Sequence, residues 1–223
     1  MPTLDASWSG ALRIVGALER PDHWHLRDDD ECAFFGEYTP RAGWEHSATN
    51  QLIFNLKKRP SIARGTYQWR HKLKAINEAA AAIRTALTGD ALATSLFVPI
   101  PSSKTPMHPD YDPRMLQVAQ RIGAPARAAE VLRTRIDREA LHANDDRRDP
   151  EQLAATIAID AAAIPADVVR VFLLDDMLTT GCSFRTCKDL LAPHLGGRPV
   201  IGLFVSRRII VPDPLADFSA LDF

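Results

Sequence analysis

Residues 171–184 read VFLLDDMLTTGCSF. Four apolar residues run into two adjacent carboxylates, then a Thr-Thr-Gly turn, a small residue and a hydroxyl. A buried parallel strand is a continuous apolar run, which residues 171–174 supply. Asp175 and Asp176 then stand at its carboxyl end, where open α/β sheets bind ligands. The turn made by Thr179, Thr180, Gly181, Cys182 and Ser183 leads into a helix, and backbone N–H groups at such a turn suit a phosphate dianion. Gly181 lets the backbone approach a ligand without a Cβ. Carboxylates can hold vicinal hydroxyls while the turn holds phosphate, and together they fit a ribose 5-phosphate. An ordinary strand–turn–helix with Ser183 as N-cap would account for the turn. It would not account for two adjacent acids at a strand end.

The run resembles the ribose-phosphate signature of type I phosphoribosyltransferases, which use 5-phosphoribosyl 1-diphosphate (PRPP) and Mg²⁺. Apolar run, acidic pair, turn and closing hydroxyl all correspond, with Phe172 where a smaller aliphatic residue is common and Ser183 where Thr is frequent. The resemblance implies that Asp175 and Asp176 hold the ribose hydroxyls, partly through Mg²⁺ and its waters. Thr179 to Ser183 would hold the 5-phosphate. It also makes residues 98–104, VPIPSSK, the pyrophosphate loop, in which Ser102, Ser103 and Lys104 offer N–H groups and a cation to the diphosphate. Within the family the chain is similar to the ComF-like group. That group runs from VPxP to an Arg-containing helix start, here Arg114, then an Arg-rich loop, here 132–148, then the signature. Arg114, Arg133, Arg135 and Arg138 are therefore candidates for lid or diphosphate contacts. A solvated charged loop explains the last three equally well. The front of the chain departs from that group. A four-cysteine zinc element is replaced by Cys32 alone, so no zinc is carried over, and Arg114 is followed by Met115-Leu116 where Asn-Gln is usual.

These residues need a frame. Residues 33–38 and 94–100 read as strands. Residues 47–58 read as a helix facing inward with Leu52, Ile53 and Leu56, ending in Lys57 and Lys58 before Pro60. Residues 69–87 read as a longer helix with the stripe Leu73, Ile76, Ala80, Ile83 and Leu87. Asp112-Pro113 starts another helix, buried through Met115, Leu116, Ala119 and Ile122. Residues 129–133 form a further strand candidate, 133–154 a long loop of the kind that serves as a lid, 183–195 a helix and 199–205 a buried strand. Strands separated by helices imply right-handed βαβ units and a mostly parallel sheet. The expected fold is α/β, a mostly parallel central sheet flanked by helices, with residues 91–223 as the core domain. In the resemblance, residues 1–90 form an N-terminal, mostly helical hood over the acceptor. Residues 1–31 read as irregular, and the tail 211–223 has no clear period.

The totals narrow the classes. With 223 residues, 46% of them hydrophobic and 25% charged, the chain can bury a full core. A net charge of −1 gives no global reason to bind nucleic acid or an anionic membrane. No apolar run approaches the roughly 20 residues of a membrane span, and the start MPTLDASWSG has no signal-peptide pattern. Three cysteines without a CxxC pair point to a reducing, cytoplasmic setting.

Weaker signals pull both ways. His23, Trp24 and His25 with Asp28 to Asp30 have metal-site residue types but no closed-site spacing, so an exposed loop is expected. Lys57, Lys58, Arg59, Arg64, Arg70, Lys72 and Lys74, with Tyr67 and Trp69, could bind nucleic-acid strands. The polar faces of two amphipathic helices explain them better. Cys182 is either an activated thiol at a helix start or a small residue that fits a tight turn. Glu37, Tyr38 and His46 are candidates to reach the site from the front. Three readings follow. One is a phosphoribosyltransferase acting on a nitrogenous base or amine, as a homodimer or larger assembly. Another is a regulatory protein that binds PRPP or a nucleotide without transfer. The third is an accessory protein of a nucleic-acid-processing or defence system.

Overall fold

Apolar strands and one-sided helices alternate along this chain, and the computed structural model, which describes residues 8, 10–138 and 149–210, shows how they stack. Strands β1 (Arg13–Ile14) and β2 (Glu31–Tyr38) come first, then helices α1 (Ala48–Leu56), α2 (Pro60–Ala63), α3 (Gln68–Ala86) and α4 (Gly89–Thr94). Strand β3 (Ser95–Pro99), helix α5 (Arg114–Ile122) and strand β4 (Arg127–Ala128) follow. Strand β5 (Leu132–Thr134), helix α6 (Pro150–Ala155) and strand β6 (Ile157–Ile159) lead to strand β7 (Arg170–Leu178), helix α7 (Cys182–Leu195) and strand β8 (Val200–Arg208).

Six strands form one sheet in the order β1-β2-β8-β7-β3-β4. Every neighbouring pair is parallel except β1 on β2. From β3 the chain steps outward to β4, whereas from β7 it steps the other way to β8. The strand order therefore reverses between β3 and β7, and the segments leaving their carboxyl ends diverge around a crevice. Ligands bind at such a switch point in open α/β sheets.

Period-two alternation assigns the two faces. Val171 and Leu173 of β7 join Leu96, Val98, Phe184, Cys187 and Leu191 on the α7 side. Phe172 and Leu174 join Phe97, Leu203 and Val205 beneath α1, α3 and α5. Phe97 stacks on Phe172 with ring centroids 5.2 Å apart. Helix α1 begins at Ser47, whose hydroxyl accepts the Asn50 N–H at 3.0 Å, and buries Leu52, Ile53 and Leu56 as its periodicity predicts. In α5, Val118 takes the inward place expected of Leu116.

Several expectations are corrected. Strand β7 does not stop at Leu174. Met177 and Leu178 keep pairing with Ser206 and Arg207 of β8, so both acids lie inside the strand. Residues 129–133 do not form a strand of the main sheet. Leu132–Thr134 instead pairs antiparallel with β6 in a separate two-stranded ribbon. The stretch expected as one loop over 133–154 contains the end of β5 and all but the last residue of α6, and its middle, 139–148, lies outside the described residues. So does the tail 211–223. The first 90 residues do more than a helical hood would. β2 lies in the sheet against β8, and α1 and α3 cover one sheet face, so the sheet is built from both sides of residue 90.

Candidate functional site

Adjacent strand residues project to opposite faces, and the acid pair uses this. Asp176 turns toward α1 and α5. Arg114, at the start of α5, donates from Nε to its Oδ2 at 2.7 Å and from a second guanidinium nitrogen to the same oxygen. Lys57, just past α1, brings its Nζ within 3.3 Å of Oδ1. Arg114 also donates to Asp112 at 2.9 Å, and Asp112 accepts from Lys72 at 2.7 Å. Lys72 is 1% exposed and spends its remaining donors on the carbonyls of Leu56 and Lys58 at the end of α1. A buried ammonium survives only when paired and fully hydrogen bonded, and here the pairing also ties α3, α1 and α5 to the strand that bears the acids.

The cations crowd one acid and leave the other. Burial works against the charge on Asp176, but Arg114 and Lys57 overcome it and hold its pKa well below the usual carboxylate range. Asp175 is pushed up to about 7 by burial and by the negative Asp176 beside it. One of its oxygens accepts the Asp176 N–H at 2.8 Å. Two carboxylates of unlike environment are thereby given unlike roles. Asp176 is held as an anion by its two cations, and Asp175 holds its proton more tightly than an ordinary carboxylate.

The turn that follows is closed by Cys182, whose N–H reaches the Thr180 hydroxyl at 3.4 Å. Gly181 has φ +86°, a conformation for which glycine is suited. Its bare Cα is required on the side away from the cavity, where a Cβ would fall 2.8 Å from Leu26 Cδ2. Glycine here serves packing against Leu26. Cys182 is buried, as a residue filling a tight turn would be, and Cys187 below it has its thiol pKa raised by burial.

The loop after β3 faces the turn. Ser102 donates to the Lys104 carbonyl at 3.0 Å. The Ser102 carbonyl accepts from the Thr134 hydroxyl and, at 3.0 Å, from Arg138. The Arg138 N–H donates to the Ser103 carbonyl at 2.8 Å, and the Thr105 N–H to Asp137 at 2.6 Å. The base of the segment expected as a lid is thus stitched to the serine loop.

Acid pair, turn and loop enclose one cavity of about 190 Å³. It is lined by Asp175, Asp176, Thr179, Thr180, Cys182 and Ser183 on one side and by Ser102, Ser103 and Lys104 on the other. Arg114 and Arg133 also line it, Arg133 while paired with Glu130 at 3.0 Å. Arg135 does not. It is exposed and donates to the Ala155 carbonyl at 2.9 Å. Glu37, Tyr38 and His46 do not line it either, and Glu37 is taken by Arg207 at 2.6 Å. Lys57, Asp112 and Arg138 join the lining, although nothing in their local sequence marks Lys57 or Asp112 as site residues.

The expected exposed loop at 23–25 is half corrected. Trp24 is 57% exposed, but His23 is completely buried. No group of three or more His, Cys, Asp or Glu among the described residues could hold a metal ion by itself. The basic stretch is divided in use. Lys57 enters the cavity, Lys72 is buried, and Arg59 and Lys74 pair with Asp110 and Glu78. Lys58, Arg64 and Arg70 lie over the rings of Phe54, Trp69 and Tyr67. Neither a scan against protein-family models nor a comparison with curated proteins finds a match to this chain.

Proposed function

We propose that the chain is a PRPP- and Mg²⁺-dependent phosphoribosyltransferase that displaces diphosphate with a nitrogenous base or amine. The observation that carries the reading is convergence. An acid pair, a helix-start turn and a Ser-Ser-Lys loop, from segments about 75 residues apart in sequence, line a single cavity at the sheet's switch point.

In this reading the turn receives the 5-phosphate, and the serine loop with Lys104 receives the diphosphate. Positive charge develops on the ribose ring as diphosphate leaves. Asp175, inside the cavity and close to an anionic Asp176, is placed to stabilise that charge and to hold a ribose hydroxyl. No side-chain nucleophile is needed. The donor set suits Mg²⁺ that arrives on the diphosphate, because Asp175 could offer a carboxylate to its waters and no ready-made cage of acidic, His or Cys side chains among the described residues competes for its shell. When bound, the ion would neutralise the leaving group. An N-terminal hood over the acceptor belongs to this reading, with Lys57 reaching the cavity from that side. A cytoplasmic location is inferred from three buried cysteines that form no disulfide.

A second reading, a PRPP-binding regulator without transfer, draws on the engagement of both Asp176 oxygens by Arg114 and Lys57. Calorimetric titration of PRPP with Mg²⁺ separates the two. The expected result is a binding isotherm that Asp175→Asn weakens, together with diphosphate release when a panel of bases and amines is added. Binding with no release across the panel would establish the regulator, and no binding would remove both.

A further inference from the structure

The turn is held from behind. Residues 23–26 form a strap beneath it, closed on itself by the Leu26 N–H donating to the His23 carbonyl at 2.8 Å. The buried His23 hydrogen bonds through Nδ1 to the Thr179 carbonyl. The His25 N–H donates to the next carbonyl, that of Thr180, at 2.9 Å. Leu26 fills the space that Gly181 leaves by lacking a Cβ. The strap is then fastened to the helix the turn begins. The Arg27 N–H donates to Asp30 at 2.8 Å. Asp30, 1% exposed, accepts from Arg185 at 2.9 Å and from Lys188 at 2.6 Å, both on α7.

Peptide geometry gives these contacts a consequence. In a trans peptide the carbonyl and the N–H point in opposite directions. A Thr179 carbonyl drawn to His23 therefore turns the Thr180 N–H away from the strap. A Thr180 carbonyl drawn to His25 does the same for the Gly181 N–H. Thr179 and Thr180 line the cavity, so both N–H groups are turned to the side where the anion would sit. Successive N–H groups aimed into one concavity are what a phosphate needs.

We propose that His23 is a positioning residue for the phosphate turn, fixing the 179–180 peptide so that its N–H meets the ligand's phosphate. This rests on the ribose-phosphate reading of the cavity. A carbonyl can only accept, so Nδ1 carries the proton. Nε2 is buried without a partner, so a second proton there would have nothing to bond. The charged groups facing the ring are Arg207, Asp22 and Glu19, and burial with Arg207 favours the neutral ring.

Ribose 5-phosphate and Mg²⁺-diphosphate serve as separate probes in calorimetry, with His23→Ala and His23→Asn compared with wild type. An asparagine amide can present an N–H close to where Nδ1 does. The expected result is about tenfold weaker ribose 5-phosphate binding for His23→Ala, one hydrogen bond's worth, with recovery in His23→Asn. Diphosphate binding at the serine loop should be equal in all three. In ¹⁵N–¹H spectra, ribose 5-phosphate should shift the Thr180 and Gly181 amides in wild type and His23→Asn, and much less in His23→Ala. Unchanged ribose 5-phosphate binding in His23→Ala overturns the proposal, as does equal weakening of both probes by both variants, which would mark a purely structural role. Wild type binding neither probe would overturn the underlying reading itself, a result distinct from either.

Discussion

At the scale of single residues, the site works by unequal treatment of two neighbouring acids. Arg114 and Lys57 both bond to Asp176. The pH dependence has a definite sign. Asp175 binds its proton more tightly folded than unfolded, so its contribution to stability is full below about 3.8 and is lost as pH rises through about 7. Asp175→Asn should remove that fall and make the ligand-free protein more stable than wild type at pH 8. Urea unfolding at pH 5 and pH 8 checks this, and a wild-type stability that does not drop between them would refute it. Asp176 behaves oppositely, since its stabilisation is present at neutral pH and fades only in strong acid. Arg114→Met leaves Asp176 with Lys57 alone and Asp112 with Lys72 alone in a largely buried setting. Breaking a buried pair costs about 3–5 kcal/mol, and because Arg114 keeps 20% side-chain exposure, the lower end, about 3 kcal/mol, is expected from the same urea experiment.

At the scale of elements, close approach between strand and helix sets the frame. Gly36 in β2 sits against Thr49 in α1, where a Cβ would come within 2.6 Å of the Thr49 hydroxyl oxygen and 2.7 Å of its methyl. Both contacts belong to a buried, branched side chain that cannot swing away. Gly36→Ala should therefore cost about 1–3 kcal/mol, and adding Thr49→Ala should return part of it. A double-mutant cycle by denaturant unfolding measures the coupling, and strict additivity would mean the two residues do not meet. Elements of this kind were legible in sequence where one period dominates, as in the inward stripe of α1, in Ile76, Ala80 and Ile83 of α3 (though not Leu73, which is only half-buried), and in the apolar run of β7. The end of β7 was not legible, because Met177 and Leu178 follow two charges and only pairing with β8 shows that the strand continues. The acid pair, the turn and the serine loop could be read because each is local. Lys57, Asp112 and Lys72 could not, since their meaning arises when α1, α3 and α5 meet. A lysine on the polar side of a helical stripe looks solvated until its carbonyl and carboxylate partners are known. His23 was hidden for the same reason, being paired with a carbonyl 156 residues away.

At the scale of the whole molecule, the first 90 residues and the rest share one core. Phe97, Phe172, Leu174, Leu203 and Val205 are buried in a cluster completed by Phe35, Leu52, Ile53, Leu56, Ile76 and Ile83. Exposing a large apolar side chain costs about 1.5–3 kcal/mol, so uncovering five of them costs on the order of 10 kcal/mol, comparable to the roughly 5–15 kcal/mol stability of a whole domain. The same cut removes β2 from β8, leaving an unpaired edge along residues 201–208. It also removes the strap under the turn at 179–183 and the Lys72 ammonium that Asp112 pairs with. A fragment of residues 91–223 should therefore fail to fold cooperatively and should bind no ribose 5-phosphate, while the full chain shows a single unfolding transition. Circular dichroism on urea titration and amide dispersion in ¹⁵N–¹H spectra test this directly. A fragment with a sharp transition and dispersed amides would show that the core stands alone and that the N-terminal segment is an addition to it. Co-expression of residues 1–90 with that fragment adds a second arm. If the two pieces complete one core, they should co-purify and recover both the transition and the ligand response.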